Sequence, residues 1–441
     1  MIKNQKGFAT FFVTILIFTV VFSISASIFI LTYGEQKIIK NIVKSSQSYY
    51  AAETGLEDAI LRLKKSMNLP SSYSIAFNGV QAQVSLQSPN VNTRIITSDA
   101  VDAGISRKLE MRVAVETIKP QFFYGAQVGT LGIEMENNSR IEGAGGTVGN
   151  IYSNGPIEGD GGATITGDVF IAAGALDDVV VLGSVHANTI DDSKICGNAY
   201  YQTIDSSSLD FLNNPRNPTC PDPLSPGNAY PDSSDPPLQN MPISDSDIAK
   251  WKQDAAAGGI YSGDLTVNSN MSYGPKQING NLIMTSNNKI LTVTGTLYIT
   301  GYLDIDNGST IRCDAAYGLN SCIVMVDKWV HTKNNGIFQG SGSAGSYIMI
   351  LSNSNCLGSS GPDCTHHDSA IDLHNNASGA IFYANNGLIY LHNGVEVSEL
   401  TAKKIQLNQG AIVRYEQGLV NAEFSAGPGG AWDVTGWKEI E

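Results

Sequence analysis

"KNQKGFATFFVTILIF" (residues 3–18) sets two lysines and a glycine against the start of a long apolar run. No charged residue occurs between Phe8 and Leu31. A run of about 24 residues spans a bilayer with some tilt, whereas the apolar core of a cleaved secretory signal covers only about 7–15. Lys3 and Lys6 hold the N-terminus in the cytoplasm. The expected arrangement is a single pass through the cytoplasmic membrane, with everything after Leu31 outside.

The helical pattern runs on beyond the membrane. In "QKIIKNIVKSSQSYYAAETGLEDAILRLKKSM" (residues 36–67), Ile42, Tyr49, Leu56 and Leu63 recur seven apart, flanked by Ile39, Ile60 and Met67. Lys40, Lys44, Glu57, Asp58 and Lys64 fall largely outside this stripe, which predicts an amphipathic second half of the same helix. Gly34 and Gly55 weaken it locally and Pro70 ends it. Short alternating segments follow, "SYSIAFN", "VQAQVSLQ", "NTRIITS" and "RKLEMRVAVETI", with a hairpin signal at Asn78-Gly79. A small antiparallel sheet laid on the helix stripe gives an α+β unit.

These residues resemble a known family. A basic leader ending in Gly7, an apolar helix starting at Phe8 and then "YYAAETGLEDAI" (residues 49–60) look like a type IV pilin-like protein. The closest likeness is to PilX-type minor pilins and K-type minor pseudopilins of type II secretion. "RIITSDAVDAGISRKLEMRVAVE" (residues 94–116) is similar to the strand pair that follows in such proteins. The resemblance covers about the first quarter of the chain. It implies that a prepilin peptidase cuts after Gly7, that the new amine of Phe8 is methylated, and that the helix joins other pilins or pseudopilins after a stay in membrane lipid. Most pilins carry a glutamate at the fifth mature position, where this chain has Phe12. A carboxylate within a bilayer costs about 2.5–3.5 kcal/mol and persists only with a partner. Its absence suits a subunit with no neighbour above it, at the tip of a pilus or pseudopilus.

The rest reads as β structure. Residues 120–205 are short strands separated by glycines. "NNPRNPTCPDPLSPGNAYPDSSDPPLQNMPIS" (residues 213–244) is too rich in proline for a central strand, and "SDSDIAKWKQDAAAGG" (residues 244–259) is a short helix with Ser244 or Ser246 as N-cap and Gly258 as stop. In "LTVTGTLYITGYLDI" (residues 291–305), Leu291, Val293, Leu297, Ile299, Leu303 and Ile305 share one side. Asn279-Gly280, Asn307-Gly308 and Asn335-Gly336 recur at equal spacing, which suggests a solenoid. The expected fold is a right-handed parallel β-helix, with an antiparallel β-sandwich as the alternative. The texture is similar to β-helix domains attached to PilX-type proteins and, more distantly, to polymer-forming bactofilin solenoids. The chain divides into a leader (1–7), an assembly helix (8–31), a pilin-like region (32–119), a first β-helix part (120–205), a Pro-rich linker with a short helix (206–258) and a main β-helix part (259–441).

Composition narrows the function. The net charge of -14 argues against a nucleic-acid partner and against peripheral binding to anionic lipid. The six cysteines form no CxxC pair. Cys196–Cys220, Cys313–Cys322 and Cys356–Cys364 each bracket a polar or Pro-rich loop, and three local disulfides imply an oxidising compartment. No nucleophile elbow, phosphate loop or dinucleotide fingerprint occurs, so neither a cofactor nor an enzymatic activity is expected. The sharpest chemical cluster is "CTHHDSAIDLH", where His366, His367, Asp372 and His374, with Asp368 between, are candidate metal ligands. A polar loop entering a strand explains the same residues. The function expected is a non-enzymatic minor pilin-like tip subunit that displays a β-helix at the cell surface for adhesion or structure. Two alternatives stand beside it. One is an anchored protein that binds or cleaves surface polysaccharide, using Arg312, Asp314, Asp327 and Lys328 and the rings of Tyr298, Tyr302, Trp329, Tyr383 and Tyr390. The other is a signal-anchored surface solenoid that enters no filament.

Overall fold

The computed structural model describes residues 6–440 except 65–66, 68, 91, 116, 214–219, 221–226, 359–363, 365–367 and 428–431. The chain starts as one continuous helix, α1 (Lys6–Lys64), of 59 residues, about 88 Å long at 1.5 Å per residue. Neither Gly34 nor Gly55 breaks it. Its second half lies on a sheet and buries Ala51, Ala52, Leu56, Ala59 and Leu63. Gly55 does more here than tolerate the helix. A Cβ at this position would stand 2.3 Å from Ser98 Oγ and 2.8 Å from Val84 Cγ2, so the bare backbone lets helix and sheet close up. Ile39 and Ile42 were expected under the same cover but are 59% and 60% exposed. The sheet ends before it reaches them. Ser48 Oγ donates to Ile105 O (2.9 Å) and accepts from Asp102 N (3.1 Å), at the last turn of the sheet.

The sheet holds β1 (Ser72–Phe77), β2 (Val80–Asn90), β3 (Thr93–Asp102) and β4 (Ile105–Val115) as an antiparallel meander. Asn78 and Gly79 take φ of 48° and 82°, the left-handed pair that a two-residue hairpin needs. A fifth strand, β5 (Trp432–Ile440), pairs antiparallel with β4. This corrects the domain division: the chain's end belongs to the helix–sheet unit and not to the main β-helix part. Trp432 is fully buried in that unit's core, with the Arg94 guanidinium 4.9 Å from its ring. Everything between β4 and β5 is therefore an insertion into one sheet.

The insertion is a three-sided parallel β-solenoid, and its parallel ladders replace the β-sandwich alternative. On the first side, Ile260, Gln277, Tyr298, Met325, Leu351, Tyr383 and Thr401 are successive register partners. Thr401 then pairs with Gln127, and the row continues through Tyr152, Phe170, His186, Tyr200 and Tyr230. The coil order is thus permuted against the sequence. The chain enters in mid-stack at Ala126, climbs to Tyr230, returns along the outside, and restarts at the far end with Ile260. It then climbs back to its own starting coil. Thr117–Ile118 pairs with Phe424–Ser425, so the chain enters and leaves side by side.

Inside, identical rungs stack. Leu282, Leu303, Val330, Ile371, Ile389, Ile405, Ile133 and Ile157 follow one another on the second side, all essentially shielded from solvent. Leu291, Val293, Leu297, Ile299, Leu303 and Ile305 all point inward, as their alternation predicts. The Asn-Gly pairs are corners rather than hairpins, and their equal spacing joins two different corners. Gly280 stacks between Gly263 and Gly301, whereas Asn307 aligns with Asn334 one coil on. Asn288, Asn307, Asn334, Asn375 and Asn137 hold positive φ at their corner, a conformation Asn tolerates better than other side-chain-bearing residues. Their amides bond from coil to coil, as in Asn137 Nδ2 to Asn408 Oδ1 at 2.7 Å.

The described part of the Pro-rich stretch is no free linker. Ala229–Tyr230 adds a rung, and residues 237–240 lie against the first side, where Asn154 Nδ2 donates to Gln239 O (2.7 Å) and Gln127 Nε2 to Asn240 O (2.7 Å). Two short helices serve the solenoid. α2 (Ser206–Leu212) closes one end with Leu212, and α3 (Asp245–Ala257) covers the first side with Ile248 and Trp251. Ser244 is the N-cap of α3, in a capping box with Asp247.

Glu399, the register partner of Ile381 on the first side, is 1% exposed. Oε1 accepts from Thr401 Oγ1 (2.6 Å), and Oε2 has no partner among the described residues. Burial pushes its pKa well above the usual carboxylate value, and the Thr401 bond offsets only part of this. A carboxyl whose folded pKa is raised loses stability as pH climbs from the unfolded value through the folded one. Glu399→Gln should therefore raise the melting temperature at about pH 8 and change it far less at about pH 4. Equal shifts at both pH values would rule out the buried charge as the cause.

Candidate functional site

The largest uncovered feature is the first half of α1. Phe8, Phe11, Phe12, Leu16, Phe18, Phe22, Phe29 and Leu31 are each more than half exposed. An 18-residue window of this helix has a mean hydropathy of 2.5 and none of it is buried, which makes it long and apolar enough to cross a membrane. Its hydroxyls make no outward demand: Thr14 Oγ1 donates to Thr10 O (2.6 Å), Ser23 Oγ to Thr19 O (2.8 Å) and Ser27 Oγ to Ser23 O (2.8 Å). Such a surface suits lipid or other apolar helices, since these hydroxyls are satisfied within the helix itself. Phe12 lies against Phe8, with ring centroids 4.8 Å apart. At the sheet end the helix becomes polar, where Arg107 Nε reaches Ser45 Oγ (2.9 Å) and its Nη1 pairs with Glu439 (2.7 Å).

The three disulfides join Cys196–Cys220, Cys313–Cys322 and Cys356–Cys364, and all six cysteines are used. Two sit where a coil departs from the minimal triangle. Cys313–Cys322 closes the turn between the third and first sides, and Cys356–Cys364 ties a loop leading to the second side.

His366 and His367 lie outside the described residues. Asp372 and His374 do stand together, and the structure adds partners from other coils that sequence proximity does not reveal. Asp304, His331, Asp372 and Tyr390 are register partners on the outside of the second side; His374 and His392 form the adjoining row. His374 Nε2 and His392 Nε2 each stand 3.0 Å from Asp372 Oδ1, and the two rings stack with centroids 3.8 Å apart. His331 is 3% exposed, with Nδ1 3.1 Å from Asp304 Oδ1. Ligand atoms of His331, Asp372 and His374 all lie within 4.8 Å of one another.

The sugar-binding candidates do not converge. Tyr383 is buried, with its hydroxyl donating to Ile243 O (3.0 Å), and Tyr298 donates to Asp327 (2.5 Å) beneath Lys252. Tyr302 and Trp329 stack on each other at 4.1 Å. Arg312 lines a cleft of about 610 Å³ on the third side with Ser341, Tyr347 and Glu416; Asp314, Asp327 and Lys328 are not in its wall.

A second ladder was missed from the sequence. Tyr152, Phe170, His186, Tyr200 and Tyr230 stack up the first side, with centroids 4.1 Å apart at His186–Tyr200 and 4.6 Å at Tyr200–Tyr230. Burial lowers the pKa of His186, with Asp168 acting in the other direction. Below each ring a polar corner residue holds the next coil: Asp168 N donates to Asn150 Oδ1 (2.8 Å), Ser184 N to Asp168 Oδ1 (2.8 Å) and Asn228 N to Asn198 Oδ1 (3.0 Å).

No family model matches the chain, and no curated protein matches it. Its structure is similar to that of the competence-associated pilin ComZ from Thermus thermophilus, with a TM-score of 0.31 and 10% identical residues over 90% of this chain and 97% of that one.

Proposed function

We propose that this chain is a non-enzymatic, pilin-like subunit that presents its solenoid at the cell surface. One observation carries the reading: a single unbroken helix is buried on a small sheet over its second half and wholly exposed and apolar over its first. Such a helix waits in the membrane and then packs among the helices of other pilins. Before that step, a prepilin peptidase cuts after Gly7 and Phe8 becomes the methylated N-terminus. The solenoid then serves adhesion, to a surface polysaccharide or a cell ligand, or acts as a spacer. Placement at the tip is supported by Phe12, which offers no carboxylate to a neighbour's amine. The bulk of the inserted solenoid supports it too.

The experiment is mass spectrometry of the native protein's N-terminus, followed by gold labelling of sheared filaments against the solenoid. The expected mature chain begins at methylated Phe8, Gly7→Val abolishes processing, and label gathers at filament ends. An intact Met1 in protein purified from membranes would leave the signal-anchored solenoid. Dense label along the shaft would refute tip placement.

A further inference from the structure

The histidine–aspartate cluster on the second side is not used by the filament reading, and it has the composition of a metal site. We propose that His331, Asp372 and His374 bind a divalent first-row transition-metal ion of the zinc class, clamping two successive coils. Two imidazoles and one carboxylate suit such an ion and disfavour calcium or magnesium, which take oxygen ligands. Three protein ligands also leave a coordination position for water.

The geometry is close to what an ion requires. Two ligands about 2.0–2.2 Å from one zinc ion stand about 3.3–3.6 Å apart when tetrahedral. His374 Nε2 and Asp372 Oδ1 are 3.0 Å apart, and all three ligand atoms fall within 4.8 Å. Side-chain rotation closes the set. The backbone need not move, because the ligands stand on strands already paired in register: His331 is opposite Asp372, and His374 is two residues further along the same outer side.

The surroundings supply the outer shell such sites use. Asp304 Oδ1 takes the Nδ1 side of His331 at 3.1 Å, an arrangement that fixes the tautomer with the lone pair on Nε2. His392 Nε2 holds Asp372 Oδ1 from the next coil at 3.0 Å. The sequence keeps these groups apart, with His331 and Asp372 on different coils, which is why no spacing motif announces them. The proposal does not depend on whether α1 enters a filament.

The test is zinc binding by the full chain, purified in detergent without a histidine tag, stripped with chelator and followed by calorimetry and thermal melting. The expected result is one zinc ion per chain at micromolar affinity or tighter, with a melting temperature that rises with free zinc. His374→Gln, on the more exposed ligand, should weaken binding by at least about 100-fold while keeping the zinc-free melting temperature. His331→Gln should weaken zinc binding as much, and His186→Gln, in the other ladder, should bind as the parent does. Two results would overturn the site: no zinc binding below millimolar concentration in the parent chain, or unchanged stoichiometry and affinity in His374→Gln. Either would leave the cluster as a set of imidazole–carboxylate pairs.

Discussion

Removing residues 432–441 should unfold the helix–sheet unit and leave the solenoid standing. The deletion takes away β5, exposes the edge of β4 from Lys108 to Val115, and empties the place of Trp432 in the core. A buried tryptophan cut back to alanine costs about 3–5 kcal/mol on its own. The deletion also breaks Arg107–Glu439 (2.7 Å) and Lys438–Glu110 (3.2 Å), though such exposed pairs add little. Limited proteolysis with mass mapping reads the outcome. Cleavage should appear within β1–β4, while fragments spanning 126–425 stay protected and disulfide-linked. Protection of β3 and β4 equal to the parent chain would mean that the fifth strand is dispensable.

A charge placed where the two runs of coils meet should be more damaging still. Ile405 is fully buried between Ile389 and Ile133, on the coil that receives the chain's first rung. Ile405→Asp puts an unpaired carboxylate in that interior. Unpaired buried charges belong to the small class of substitutions that cost more than about 4 kcal/mol. Hydrogen exchange should show protection lost on both sides of the junction, in residues 126–204 as well as 381–415. Lys404→Ala is the control: its Nζ pairs with Glu134 at 2.5 Å across the same junction but at the surface, and it should change stability by about 1 kcal/mol or less. Loss confined to 381–415 would show that the first coils stand without the platform beneath them.

How much of this was legible before the structure depends on the range of the interaction. The apolar run, the hairpin at Asn78-Gly79, the Ser244 cap and the inward residues of 291–305 are local facts, and local rules reach them. Coil order is not local. Nothing in the alternation of Leu400, Ala402 and Ile405 says that their next neighbour is Ala126 rather than a later strand, because a period of two is the same for every partner. The strand at Trp432 was lost to the solenoid for the same reason. One signal was available and passed over. "GNIY", "GDVF", "GSVH", "GNAY" and again "GNAY", starting at Gly149, Gly167, Gly183, Gly197 and Gly227, repeat a corner glycine, a polar bridge, an inward residue and an outward ring. The tetrad marks five successive coils of the first run, although its spacing is too uneven for a search at fixed period. The histidine–aspartate cluster was half legible. Asp372 and His374 share an outer side because they are two apart on a strand, but His331 arrives from the preceding coil.

Because the chain enters and leaves the stack in its middle, the two tips of the solenoid are far from the attachment and free to change. Extra coils inserted between Ile204 and Ala229, or just before Ile260, lengthen the head by about 4.8 Å each and leave Thr117–Ile118 and Phe424–Ser425 where they are. Reach and anchorage are thereby independent quantities in this architecture. A lineage can tune how far the solenoid extends, on either flank, without altering the helix–sheet unit from which it is inserted.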